Sequence, residues 1–115
     1  MPTKIVSTAN AEHYVWGGDC DGWYLLQAAG LSVITEKMPP GRSEVRHHHL
    51  ASRQLFYVLS GVLTIEVEHH IYEVHVNESI EVSPGQAHQT FNKSPVDVTF
   101  LSVSQPPSHG DRVLD

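Results

Sequence analysis

The chain has 115 residues, 40% of them hydrophobic and 17% charged, a composition that excludes intrinsic disorder and leaves room for one ordinary hydrophobic core. Seven Lys+Arg against 13 Asp+Glu give a formal charge of -6 with no basic run, which argues against nucleic acid or an anionic membrane as partner. One cysteine, Cys20, excludes an internal disulfide, and nine histidines in so short a chain stand out.

Residues Met1 to Ile5 lack the apolar stretch of a secretory leader, and no run approaches the ~20 apolar residues of a spanning helix. The expectation is a cytoplasmic protein of one domain, residues 1–115. Residues 8–22, with Trp16-Gly17-Gly18-Asp19-Cys20-Asp21-Gly22, read as a turn-rich approach to a strand at Trp23–Gln27, with Cys20 a plain thiol in a loop. Leu31 to Met38 alternates with period two, and Pro39-Pro40-Gly41 ends it. Gln54 to Ser60 places Phe56 and Val58 on the face of Gln54, opposite Leu55, Tyr57 and Leu59. Val62 to Glu68, Ile71 to Val76, Ser79 to Ser83 and Val96 to Val103 continue the pattern in residues that strands favour. Turns are expected at Ser60-Gly61, at His69-His70, at a left-handed Asn77 and at Ser83-Pro84-Gly85. The segment from Gln105 to Asp115 opens on Pro106-Pro107 and reads as irregular. Many short strands with regular punctuation indicate an all-β sandwich or barrel.

The chemistry concentrates between Gly41 and Gly61. On a strand, His47 and His49 share a face and His48 takes the other, so two imidazoles can serve one ion without distorting the backbone. Gln54 can return on a neighbouring strand, and Ser83-Pro84-Gly85-Gln86-Ala87-His88 sets a third ligand type just after a turn, followed by Asn92. By the same parity Val45 is expected beside His47 and Thr90 beside His88. His69 and His70 read as solvated turn residues, and His13, His75 and His109 have no ligand-like context. Trp16 and Trp23 are expected to cover a barrel edge. Tyr24, Tyr57, Tyr72, Glu36 and Arg53 are polar candidates for a rim, and none is a convincing general base.

Gly41, His47, His49 and Gly61 resemble the first cupin motif, G-x5-H-x-H-x3,4-E-x6-G, with Gln54 at its glutamate position. Gly85, His88 and Asn92 resemble the second, G-x5-P-x-G-x2-H-x3-N, with Asn77 for the opening glycine and Ser83 for the proline. The chain is thus similar to small single-domain cupins. That resemblance implies a double-stranded β-helix, a jelly-roll barrel, with a divalent metal held by His47, His49, Gln54 and His88. Three imidazoles and one amide oxygen suit Fe, Mn, Co, Ni, Cu or Zn and are poor for Ca or Mg. Gln54 in place of a carboxylate removes a negative charge and a general base, so the centre should favour an anionic or enolate-like ligand. Similar proteins include dioxygenases, lyases and isomerases. The leading expectation is therefore a metal-dependent enzyme of oxygenase type acting on a small organic molecule. The alternative is a non-catalytic binding or sensing module in the same pocket. A homodimer is expected, paired through the apolar region around Trp16–Leu26.

Overall fold

A computed structural model describes residues 3–115. Met1 and Pro2, part of the stretch read for a leader, lie outside the described residues. The chain forms eleven strands: β1 (Glu12–Trp16), β2 (Cys20–Ala28), β3 (Leu31–Met38), β4 (His47–His48), β5 (Arg53–Ser60), β6 (Leu63–Val67), β7 (His70–Val74), β8 (Ser79–Val82), β9 (His88–Phe91), β10 (Val98–Gln105) and β11 (Val113–Leu114). They pair antiparallel in two sheets, β1-β2-β3-β10-β5-β8 and β11-β4-β9-β6-β7. This is the all-β double-stranded β-helix that the resemblance implied. No helix among the described residues is long and apolar enough to cross a membrane.

One apolar cluster joins the two sheets. Met38, Phe56, Val58, Leu63, Ile65, Val98 and Phe100 are all buried in it. The inward faces of β5 and β10 then change character along their length. Val58 and Phe56 give way to Gln54, and Val98 and Phe100 give way to Ser102 and Ser104, all buried. Phe56 and Phe100 meet edge-on at 5.9 Å and close the apolar half. What lies beyond them is a polar chamber between the sheets, and this gradient is what positions the site.

Four local expectations are corrected. The approach at residues 8–22 contains β1, and β2 begins at Cys20, ahead of Trp23; β1 and β2 form a hairpin with Tyr14 opposite Gly22. Cys20 is therefore a fully buried core residue, not a loop thiol. Burial pushes its thiol up to about 11, which makes it a poor nucleophile. The β6–β7 turn is centred on Glu68 and His69, at φ 48° and 70°, and His70 already belongs to β7. Two positive φ values normally call for Asn-Gly. Here the strain is offset by hydrogen bonds: Glu68 N–H donates to Ala87 O at 2.9 Å, and His69 N–H to Glu66 Oε2 at 2.7 Å. Asn77 takes its expected left-handed conformation at φ 68°. The segment after Gln105 is not wholly irregular, because β11 pairs with β4, setting Val113 against His48 and Leu114 against His47.

Candidate metal centre

His47 sits on β4 directly across from His88 on β9, and His49 follows β4 by one residue, so the two sheet positions and the short β4 bring three rings together. The centroids lie 4.5 Å apart for His47 and His88, 4.8 Å for His47 and His49, and 5.6 Å for His49 and His88. One ligand atom from each falls within 4.8 Å of the others, a separation that a single ion can bridge. All three residues are buried.

Their tautomers are set by the backbone. His47 Nδ1 contacts Val45 O at 2.7 Å, His49 Nδ1 contacts Asp111 O at 2.5 Å, and His88 Nδ1 contacts Gln86 O at 3.0 Å. Since a carbonyl only accepts, each Nδ1 must carry the proton and each Nε2 is left with its lone pair. Burial holds the His47 imidazole down at about 4 and lowers that of His88, so both are neutral at physiological pH, the state a ligand requires.

Gln54 reaches the same chamber from the opposite sheet. Its Nε2 donates to Ser104 Oγ at 3.2 Å, while its Oε1 is buried without a partner. Among the described residues, the buried side-chain polar atoms lacking any partner are His49 Nε2, His88 Nε2 and Gln54 Oε1. An orphaned buried acceptor is costly, and three in one chamber are a set that a single cation could satisfy together. The residues present thus fit a transition-metal ion through imidazole nitrogens, with the Gln54 amide oxygen in reach of the same chamber.

The chamber opens into a cavity of ≈ 290 Å³, at the small end of ligand sites. Tyr14, Trp16, Ile34 and Phe56 form its apolar wall. Its polar wall carries two carboxyl groups, Glu36 and Glu44. Glu36 was a rim candidate; it lines the interior, where burial first and then the charge of Glu44 push its carboxyl up to about 8, opposed by a hydrogen bond with Ser102. Glu44 has the place that parity assigned to Val45, because residues 44–46 precede β4 and do not follow strand alternation; Val45 is 57% exposed. The Glu44 carboxylate accepts from Thr90 N at 2.9 Å and Thr90 Oγ1 at 2.7 Å, and approaches His47 Nδ1 at 3.7 Å.

Other expectations divide. Thr90 is buried beside His88, and buried Asn92 ties backbone by donating to Met38 O and Val96 O, each at 2.8 Å. His48 turns away and contacts Asp115 Oδ2 at 2.8 Å. Tyr57 also faces outward, onto Asn77, while Tyr72 is exposed and Arg53 pairs with Glu81 at the surface. Trp23 packs on His13 near β1, whereas Trp16 lines the cavity instead of covering an edge. His109, which had no ligand-like context, borders the cavity with its Nδ1 2.6 Å from the Tyr24 hydroxyl. Sequence reasoning missed Tyr14, Glu44 and Arg112. Only Glu44 carried a signal, its position three residues before His47.

Residues 34–104 match the family model described as Cupin domain. A curated relative, the uncharacterized protein MJ1618 of Methanocaldococcus jannaschii, is 29% identical over 81 residues, 70% of this chain. The chain spans 65% of the length of that relative. Among solved structures, an uncharacterized conserved protein with a double-stranded β-helix domain from Klebsiella pneumoniae superposes with a TM-score of 0.81 at 20% identity, covering 98% of this chain and 97% of that one. The polyketide cyclase RemF of Streptomyces resistomycificus gives 0.79 at 21% identity, covering 92% and 83%. Both likenesses establish the fold alone.

Proposed function

Because the chain belongs to the cupin family, we propose that it is a metal-dependent enzyme of oxygenase type or a related lyase or isomerase, acting on a small organic molecule. The observation that carries the reading is the trio of buried, partnerless acceptors, His49 Nε2, His88 Nε2 and Gln54 Oε1, beside the ring of His47. His47, His49, Gln54 and His88 would hold the ion, which is one of Fe, Mn, Co, Ni, Cu or Zn by donor chemistry.

When bound, such an ion supplies Lewis-acid polarisation of a carbonyl or enol oxygen and, if redox-active, electron transfer. The protein supplies the rest. Val45, Asp111 and Gln86 fix the three rings through Nδ1. Trp16, Ile34 and Phe56 keep water from the apolar half of a bound molecule. Gln54 cannot move a proton, and Glu36 takes that role from β3, two strands away in the same sheet across β10. Its raised carboxyl holds a proton near neutral pH and can give it to, or recover it from, an oxygen or carbon of a ligand beside it. A polyketide cyclase shares this fold, but at 21% identity its substrate is not carried over.

A cytoplasmic homodimer is part of the same reading. Support for pairing comes from β1, an edge strand, whose Val15 is 58% exposed, and from Leu26 further along β2, 43% exposed. A monomer by light scattering at micromolar concentration would contradict it.

The test is elemental analysis of the untagged, natively purified chain, followed by oxygen uptake with small enols and keto-acids. One transition metal per chain is expected, and it should be lost in the His47→Ala/His49→Ala double variant with the β-sheet circular dichroism retained. Stoichiometric metal in that variant would falsify the site. Ligand binding that survives chelation, with no turnover, would instead favour a non-catalytic binding module.

A further inference from the structure

We propose that Arg112 is the specificity-determining residue of the cavity and that the molecule it selects is a small planar carboxylic acid, its carboxylate at Arg112 and its carbon skeleton on the apolar wall. The proposal deepens the reading above, since it concerns the same cavity, and it names the substrate class.

The first argument comes from the four arginines of the chain. Arg42 clamps Asp19 through Nε and Nη2 at 2.7 and 2.8 Å, Arg46 clamps Glu66 at 2.7 and 3.2 Å, and Arg53 pairs with Glu81. Arg112 differs. Its guanidinium reaches Val45 O through Nη2 at 3.5 Å, a distance at which little hydrogen bonding remains. It nonetheless borders the cavity beside His47 and His49. A guanidinium fork without a carboxylate, at the mouth of a ligand-sized cavity, matches the planar bidentate geometry of a carboxylate.

Nearby acids do not compete for it. The Asp111 carboxylate accepts from the backbone N–H groups of Leu50, Ala51 and Ser52 at 3.0, 2.9 and 2.9 Å. Asp115 contacts His48, and Glu44 is bound by Thr90. Glu44 Oε1 is left without a hydrogen bond and feels the Arg112 charge at longer range, but among the described residues no carboxylate lies within salt-bridge distance of the guanidinium.

The position of Arg112 is also fixed in advance. On one side Asp111 O is held by His49; on the other, Val113 pairs with His48 in the β11–β4 ladder. An arginine between two anchored neighbours loses less backbone freedom on binding than one on a free tail. The opposite wall decides the rest of the ligand. Trp16, Ile34 and Phe56 offer apolar surface, and a cavity of ≈ 290 Å³ limits the skeleton to one ring or a short chain.

The probe is benzoate, titrated by calorimetry into the zinc-loaded full chain, with benzamide and inorganic phosphate as comparison arms. Benzoate should bind, and Arg112→Gln should weaken it about tenfold or more at unchanged zinc stoichiometry, with Arg112→Lys intermediate. Benzamide should bind more weakly and ignore the substitution. Equal benzoate affinity in Arg112→Gln, or no benzoate binding to the natural chain at millimolar concentration, overturns the proposal. Phosphate competing as well as benzoate would overturn the carboxylate assignment in favour of a general anion site. The metal reading fails separately: Arg112-dependent benzoate binding in a chain that takes up no stoichiometric metal would leave Arg112 in its role and remove the ion.

Discussion

The backbone carbonyl of Asp111 receives the Nδ1 proton of His49 at 2.5 Å, across 62 residues of chain. The same residue's carboxylate receives three backbone N–H groups from the loop that follows His49, and those bonds hold it well below the usual carboxylate range. Asp111 therefore orients the His49 ring and the loop beside it.

Asp111→Ala should lower metal affinity without removing any ligand atom. The backbone carbonyl that His49 uses is kept, but the segment carrying it loses its three anchoring bonds, so the loss should reach at most the ~10- to 100-fold typical of removing an outer partner of a metal-binding histidine. Asp111→Asn keeps one acceptor oxygen and should fall between. Competition with a chromophoric chelator measures the change; affinity equal to that of the natural chain in Asp111→Ala would show that the loop holds His49 by itself.

Glu36 gives the fold a pH dependence whose sign can be worked out. Its carboxyl is raised from 4.5 to about 8, so between those values the folded chain binds more protons than the unfolded one. Stability from this group is complete below about pH 4.5 and is lost as pH rises through 8. In metal-free protein, Glu36→Gln should be the more stable variant at pH 9. The gain should be about 2 kcal/mol, roughly half the full linkage, since the group retains some solvent contact. The advantage should vanish on approach to pH 4.5. Denaturant melts at the two pH values check it, and a gap that does not change with pH would refute the raised carboxyl.

The convergence of His47, His49, Gln54 and His88 on one chamber was legible because their spacing is carried by two short motifs. His47 and His49 are fixed by strand parity, Gln54 by the next strand, and His88 by a turn whose residues announce it. The cavity around them was not legible. Glu36 and Tyr14 reach it from β3 and β1, and Arg112 from the position just before β11, through pairings that no short spacing encodes. Val45 failed for a related reason: parity was extended into residues before β4 that pair only at Ser43, through an isolated bridge to Phe91. Cys20 was misplaced because Gly17 and Gly18 looked like the whole of a loop, whereas they form only the turn of the β1–β2 hairpin.

Gly61 closes the first motif for a steric reason. At φ +79° a side chain is already strained, and a Cβ there would stand 2.5 Å from Asp97 O and 3.0 Å from Val98 Cα, both backbone atoms that cannot rotate away. Gly61→Ala should cost about 2–4 kcal/mol and lower Tm by about 10 °C. Metal content per folded chain should be unchanged, because the clash lies at the end of β5 remote from Gln54. A Tm within two degrees or so of the natural chain would mean that the β5–β6 turn can be rebuilt.

Gly22 offers the contrasting case. A Cβ at this position would fall 2.2 Å from Tyr14 Cζ and 2.6 Å from its hydroxyl, so the tyrosine ring lies flat on the glycine across the β1–β2 pair. Unlike the backbone facing Gly61, a ring can swing aside. Tyr14 also meets Tyr24 at 5.1 Å and the edge of His109 at 5.9 Å, contacts that moving would weaken. Gly22→Ala should thus cost only about 0.5–1.5 kcal/mol while displacing one wall of the cavity. The imidazole proton resonances of His109 should shift as the Tyr14 ring current leaves them. Tyr14→Leu in the natural Gly22 background should shift them the same way, because it removes the ring without the clash. Unmoved His109 resonances in Gly22→Ala, alongside a large loss of stability, would show that the hairpin backbone yields before the ring does.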